Sequence, residues 1–306
     1  MRRVLIIAGP TAVGKTAVAE TVAEKLGGEL ISADSRQIYK GLDVGTAKPR
    51  NSKIPYHLID IVTPEKRYDA AQFARDAQTL IKQIYDRGKT PIIVGGTGLY
   101  IRALTEGIFE GNFRDETVRE ELLRRWRAGE NLYAELMRVD PEAAKKIDPK
   151  NFVRIQRALE VYIVSGNPIS YWWKTATKKQ SEWKFVKIIL NKERKALYER
   201  IEKRVDEMLE AGWVDEVKKL LKSGVPENAP AFSSIGYRQV VDYIKGKLSW
   251  EQMKEKIIKA TKEYARRQLI WFRKEPGAVW LDTTGKNPQE VALEVIKIWR
   301  ETEKNA

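Results

Sequence analysis

Apolar positions first form a short unbroken run, Val4 to Ala8 in RVLIIAG, and then fall at helical spacing in KTAVAETVAEKLGG, where Gly27 and Gly28 stop the pattern. ELISAD (29–34) is a second short apolar run. YDAAQFARDAQTLIKQIYDRG (68–88) is amphipathic with a glycine at its end, and TPIIVGG (90–96) is a third apolar run. Continuous apolar strands separated by helices of this length predict a parallel sheet with helices on its faces. FVKIILN (185–191) and AVWLD (278–282) predict further strands of that sheet.

The pattern changes between them. ETVREELLRRWRAG, NLYAELMRV, PEAAKKI and NFVRIQRALEVYIVSG all carry helical spacing, with strand signals resuming only afterwards. The expected organisation is therefore an α/β core of residues 1–112 and 190–306 interrupted by an all-α insertion, 113–189. YWWKTATKKQSEWK (171–184) mixes aromatic and basic residues without a clean period and predicts a loop. Long charged helices follow, KERKALYERIEKRVDEMLEAG (192–212) and WEQMKEKIIKATKEYARRQLIWFRK (250–274).

Composition narrows the class. No apolar run approaches the roughly 20 residues needed to cross a bilayer. MRRVLIIAGP breaks at Gly-Pro too early for a signal peptide, so a buried first strand and a cytoplasmic location are expected. Cysteine is absent and His57 is the single histidine, which excludes disulfides and argues against zinc. His57 lies in IPYHLIDIV, a half-buried strand pattern that suits packing or hydrogen bonding better than catalysis. No apolar face is left over for a subunit contact, so a monomer is expected.

The formal charge is +14, divided as +4 over residues 1–112, +6 over 113–199, +5 over 200–275 and −1 over the tail. An excess on both sides of a phosphate site suits a polyanion larger than a nucleotide. A charge-rich surface of the thermophile type would give the same excess.

Gly9-Pro10-Thr11-Ala12-Val13-Gly14-Lys15-Thr16 has the spacing of a phosphate-binding P-loop and lies between a predicted strand and a predicted helix. Its glycines let backbone N–H groups curl around phosphate oxygens. The helix terminus and Lys15 add positive charge, and the Thr16 hydroxyl suits a Mg²⁺ held by the same phosphates. No apolar run ends in an acidic pair and no base-reading NKxD-like sequence is present, so a nucleotide hydrolase is not indicated. Ligands of open α/β sheets bind beyond the carboxyl ends of the strands, where Thr16, Asp34 and Thr97 should converge. From the residues alone Asp34 is a turn residue, a base for an acceptor hydroxyl in a kinase, or the partner of another acceptor. An RNA-binding protein with a regulatory nucleotide also remains open.

The order GPTAVGKT, DSRQIYKGLDVGTAKP, PYHLID, GGTGLY, RALEV, GYRQ, RRQLIWFR and WLD resembles the tRNA dimethylallyltransferase (tRNA isopentenyltransferase) family, from Gly9 to about Asp282. Val13 departs from the Ser usual in that loop, and Ile270 from a common Thr. The resemblance implies a P-loop NTPase-like core and transfer of a dimethylallyl group from dimethylallyl diphosphate to N6 of the adenosine 3′ of the anticodon, with pyrophosphate leaving. It implies catalytic roles for Asp34, Lys15, Thr97 and Arg204, and Mg²⁺ at Thr16. It also implies tRNA contacts, to the anticodon stem-loop, from Asp34, Ser35, Arg36, Gln37 and Thr97, and from Arg119, Arg154 and Arg157 in the insertion. Gly236, Tyr237, Arg238, Gln239, Arg266 and Arg267 complete the set. Basic residues beside aromatics suit phosphate contact plus base stacking. Trp172, Trp173 and Trp183 read either as packing residues or as further stacking platforms.

Overall fold

The computed structural model describes residues 2–109, 111, 113–175 and 182–304. In chain order the first part holds β1 (Arg2–Ala8), α1 (Lys15–Leu26), β2 (Gly28–Ala33), β3 (Tyr56–His57), α2 (Ala70–Asp86), β4 (Thr90–Gly95) and α3 (Gly98–Glu106). Next come the helices α4 (Glu116–Arg127), α5 (Leu132–Val139), α6 (Pro141–Ala144), α7 (Phe152–Ser165) and α8 (Ile169–Thr175). The chain then continues with β5 (Trp183–Asn191), α9 (Arg194–Glu210), α10 (Trp213–Lys222), α11 (Tyr237–Ile244), α12 (Trp250–Phe272), β6 (Val279–Asp282) and α13 (Pro288–Lys304).

The described strands form one parallel sheet in the order β3-β2-β4-β1-β5-β6. β1 is central because Val4 to Ala8 are apolar on both faces and fully buried. Leu5, Ile7, Leu30, Ile92, Val94 and Ile188 turn to one side, where Val18 and Val22 of α1 and Val291 and Val295 of α13 cover them. α2 contacts β2 and β4. Its start is fixed by a capping box in which Asp69 accepts from the Gln72 N–H and the Gln72 side chain accepts from the Asp69 N–H. A second apolar cluster joins α9 to α12 through Trp213, Tyr237, Met253 and Ile257. This is the P-loop NTPase-like parallel core expected from the strand pattern.

The chain divides into two compact units, Met1–Thr105 with Ser181–Ala306, and Glu106–Gln180. The second unit is all-helical around Leu122, Leu132, Leu136, Ile155 and Leu159. The division falls at 106 and 180 rather than at 113 and 189. The reason at the second boundary is pairing: β5 begins at Trp183, opposite Arg2, and the Trp183 ring stacks on Tyr85 at 5.4 Å.

The loop expected over 171–184 needs correcting. Residues 171–175 belong to α8, residues 183–184 open β5, and 176–181 lie outside the described residues. α8 forms because the buried Asp140 serves two helix starts, accepting from the Ala143 N–H at 2.9 Å and from the Ser170 N–H at 2.9 Å. Trp172 and Trp173 pack on the second unit's core, Trp172 against Phe113 at 4.6 Å. All three tryptophans pack against the protein while staying partly exposed.

Candidate active site

The loop 9–16 leaves the carboxyl end of β1 and enters α1. Ala12 adopts a left-handed φ of 62°, at a cost of about 1–2 kcal/mol, in the kind of loop where alternating handedness gathers N–H groups on one concave side. Thr11, Ala12, Gly14, Lys15 and Thr16 line a crevice of ≈ 1590 Å³. Val13 instead packs into the core beneath the loop, which explains why an apolar residue fits there.

Asp34 follows β2 and Thr97 follows β4, so both reach the same crevice, as does Arg204 from α9. Asp34 Oδ1 accepts from the Arg36 N–H at 2.8 Å and the Gln37 N–H at 3.4 Å. Thr97 Oγ1 accepts from the Ser35 N–H at 3.0 Å. Tyr264, from α12, hydrogen-bonds with Thr97, and burial beside Asp34 pushes its hydroxyl up to about 12.

Lys15 donates from Nζ to the Pro10 carbonyl at 2.7 Å. Burial, reinforced by the Arg204 charge, lowers its pKa to about 7 against the opposing pull of Asp34. The Arg204 guanidinium is also pushed down, by burial first and by Arg200 among its neighbours. Cations crowded against one carboxylate mark a site built for an anion.

Among the described residues no group of three or more His, Cys, Asp or Glu could hold a metal ion. A lone crevice hydroxyl such as Thr16 still fits Mg²⁺, which keeps several waters and takes most other ligands from substrate phosphates.

The segment 34–49 is held from outside itself. Glu216 accepts from the N–H groups of Asp43 at 2.8 Å and Val44 at 2.7 Å and from the Tyr237 hydroxyl at 2.6 Å. Lys48, 8% exposed, bridges the Tyr39 carbonyl, Asp43 and Asp60. The Gln37 amide is committed internally: it accepts from Ser32 Oγ and donates to the Thr46 and Ala47 carbonyls. Arg36 reaches Ser233 Oγ at 3.2 Å.

Gln268, one residue past Arg267, bridges two strand ends by accepting from the Thr11 N–H at 2.8 Å and donating to the Gly96 carbonyl at 2.8 Å. Its Nε2 would stand 2.3 Å from a Cβ on Gly96, so only glycine admits it. Gln268, Tyr264, Glu216 and Lys48 were missed by the sequence reading. Gln268 and Lys48 had a signal, their places in the RRQLIWFR and DSRQIYKGLDVGTAKP motifs.

The basic residues of the first unit divide. Arg267 lines the crevice, while Arg238 and Arg266 are exposed outside its lining. Stacking at Tyr237 is overturned: the ring is fully buried between Trp213 and Phe232, and Gly236 is glycine because a Cβ would meet Trp213 at 1.9 Å. Gln239 accepts from the Gly236 N–H at 2.8 Å and so secures the start of α11.

In the second unit Arg154 is exposed at the start of α7. Arg119 and Arg157 both approach the fully buried Glu160, at 3.6 and 2.8 Å. His57 donates from Nε2 to the Glu29 carboxylate at 2.7 Å, beside Arg87, in keeping with a hydrogen-bonding role.

Sequence comparison matches residues 37–275 to the family described as IPP transferase and residues 2–61 to the one described as isopentenyl transferase. The chain is 43% identical over 300 residues to the tRNA dimethylallyltransferase of Thermotoga petrophila, covering 97% of each chain. It is 41% identical over 289 residues to that of Geobacter metallireducens. Among solved structures, the tRNA isopentenylpyrophosphate transferase of Bacillus halodurans superposes with a TM-score of 0.73 at 36% identity over 99% of each chain. A eukaryotic dimethylallyltransferase acting on tRNA gives 0.75 at 28% identity, over 93% of this chain and 75% of that one. With the phosphate loop, Asp34 and Thr97 already gathered beyond the carboxyl ends of the inner strands, these matches place the chain in the tRNA dimethylallyltransferase (IPP transferase) family.

Proposed function

We infer that the protein is a transferase that moves a dimethylallyl group from dimethylallyl diphosphate to N6 of the tRNA adenosine 3′ of the anticodon. The observation that carries this reading is the meeting of the phosphate loop, Asp34, Thr97 and Arg204 in one crevice. An exocyclic adenine amine is a weak nucleophile, because its lone pair is delocalised into the ring. Asp34 Oδ1 is engaged by two backbone N–H groups, which leaves Oδ2 to accept from N6–H. As N6 bonds to C1 of the dimethylallyl group and the C1–O bond breaks, that proton passes to Asp34 and pyrophosphate departs. Such general-base help is worth about 10²–10⁴-fold.

The Thr97 region holds the acceptor side, through its tie to Ser35. Lys15, Arg204 and the loop amides stabilise the charge that grows on the leaving oxygens. Mg²⁺ ligated by Thr16 and the diphosphate would neutralise part of the same charge. An anticodon-loop adenine must leave its stack to enter, at a cost of a few kcal/mol. Ser35, Arg36, Arg267 and the exposed Arg154, Arg238 and Arg266 are the side chains assigned to tRNA contact. Among the described residues no helix is long and apolar enough to cross a membrane, and a cytoplasmic monomer is part of the same proposal.

The test is one incubation with unmodified tRNA, Mg²⁺ and labelled dimethylallyl diphosphate, followed by nucleoside mass analysis. Label on a single adenosine beside the anticodon is expected. Consumption of ATP with no such label would replace this reading with a kinase.

A further inference from the structure

Arg200 and Arg204 stand one helical turn apart on α9, which buries Leu197, Ile201, Val205 and Leu209 and turns both arginines to the crevice. Their surroundings differ. Arg204 interacts with Lys15 and Asp34, where the reading above puts the reacting carbon. Arg200 reaches instead over the phosphate loop, its Nη2 3.9 Å from the position a Cβ on Gly14 would take. Among the described residues no carboxylate pairs with it. Its charge falls on other cations, helping to push both Lys192 and Arg204 down.

Arg200 is an exposed arginine without an acidic partner, leaning over N–H donors beside a lysine and a second arginine. The arrangement is useful where a doubly charged group spans the donors. We propose that Arg200 clamps the distal phosphate of the allylic diphosphate, the phosphate that bears no carbon. It thereby sets the requirement for a diphosphate over a monophosphate and slows the escape of pyrophosphate. The assignment rests on the transferase reading and deepens it. Arg204 and Lys15 face the bond that breaks, whereas Arg200 holds a phosphate whose interaction is nearly the same before and during reaction. Its contribution should therefore fall on KM and leave most of kcat in place.

The experiment compares Arg200→Ala and Arg200→Lys with the unsubstituted protein, by steady-state transfer and by calorimetric titration with pyrophosphate and with inorganic phosphate. Arg200→Ala should raise KM for dimethylallyl diphosphate, and weaken pyrophosphate, by roughly 10- to 100-fold. Inorganic phosphate should weaken far less, and Arg200→Lys should recover part of the loss. The thermal midpoint of Arg200→Ala should stay close to that of the unsubstituted protein, since Arg200 is exposed and makes no ion pair among the described residues. Unchanged pyrophosphate affinity, or a loss confined to kcat, would overturn the clamp.

The titration needs no turnover, which separates the two ideas. Transfer by the unsubstituted protein with pyrophosphate affinity intact in Arg200→Ala would remove the clamp and leave the transferase. Absence of transfer with affinity lost in Arg200→Ala would remove the transferase and leave Arg200 as a ligand of pyrophosphate only.

Discussion

Lys15 carries the pH dependence of the site. With its folded pKa lowered from 10.5 to about 7 by burial and by Arg204, the unfolded chain holds a proton that the folded chain has released throughout that window. Its contribution to stability therefore rises with pH from about 7 towards 10.5. Thermal unfolding of the protein and of Lys15→Met should show the variant ahead at pH 7 and the gap narrowing by pH 10. Diphosphate beside the amine restores the charged form, so pyrophosphate binding near pH 8.5 should take up close to one proton. Calorimetry in buffers of different ionisation enthalpy reads that uptake, which Lys15→Met should abolish. Asp34 has a different signature. Asp34→Ala should lower single-turnover transfer by about 10²–10⁴-fold while tRNA affinity, read by filter binding, stays nearly intact. Near-normal turnover in that variant would move the proton to another group.

At the scale of elements, the site is a set of strand ends tied together by helices that follow much later in the chain. Gln268 on α12 links the phosphate loop to the end of β4. Gln268→Leu deletes both bonds and leaves a buried carbonyl and N–H, so a loss of about 2–4 kcal/mol in urea unfolding is expected, with a higher KM for the diphosphate. Glu216 on α10 does the same for 43–45, and Tyr237→Phe, which removes one of its partners, should cost about 1 kcal/mol.

This division explains what was legible in advance. Strands and helices of the core announce themselves through period, and the 9–16 loop through spacing tied to a local turn. Asp34 and Thr97 follow from topology, because parallel strands end on one side. Gln268, Glu216 and Lys48 act across 172, 173 and 12 residues of chain, and no local pattern encodes a partner that distant. The same holds for Tyr237: an aromatic beside Arg238 looks like an RNA platform until Trp213 is seen to cover it. α8 escaped because its start depends on Asp140, thirty residues earlier.

At the scale of the whole molecule, the +14 charge becomes a statement about tRNA only where arginines are free to meet phosphates. Many are not. Arg124 and Arg125 are tied to neighbouring glutamates, and Arg157 is held by Glu160 and the Phe113 carbonyl. The exposed Arg154 is a cleaner probe than Arg157, whose removal leaves the fully buried Glu160 with the Asp115 N–H at 3.1 Å and Arg119 at 3.6 Å. Arg157→Ala should therefore lower the unfolding midpoint of the helical unit, with any loss of tRNA binding following from that loss of stability. Arg154→Ala should weaken tRNA binding with that midpoint unchanged. Each phosphate contact removed should flatten the slope of log affinity against log salt by roughly 0.7–0.9, so pairing Arg154→Ala with Arg238→Ala should flatten it by about twice that. Binding measured from 50 to 300 mM salt checks this directly. A slope that stays unchanged in the double variant, with affinity also unchanged, would assign these two arginines to the solvated surface and leave tRNA docking to the crevice rim at Arg36 and Arg267.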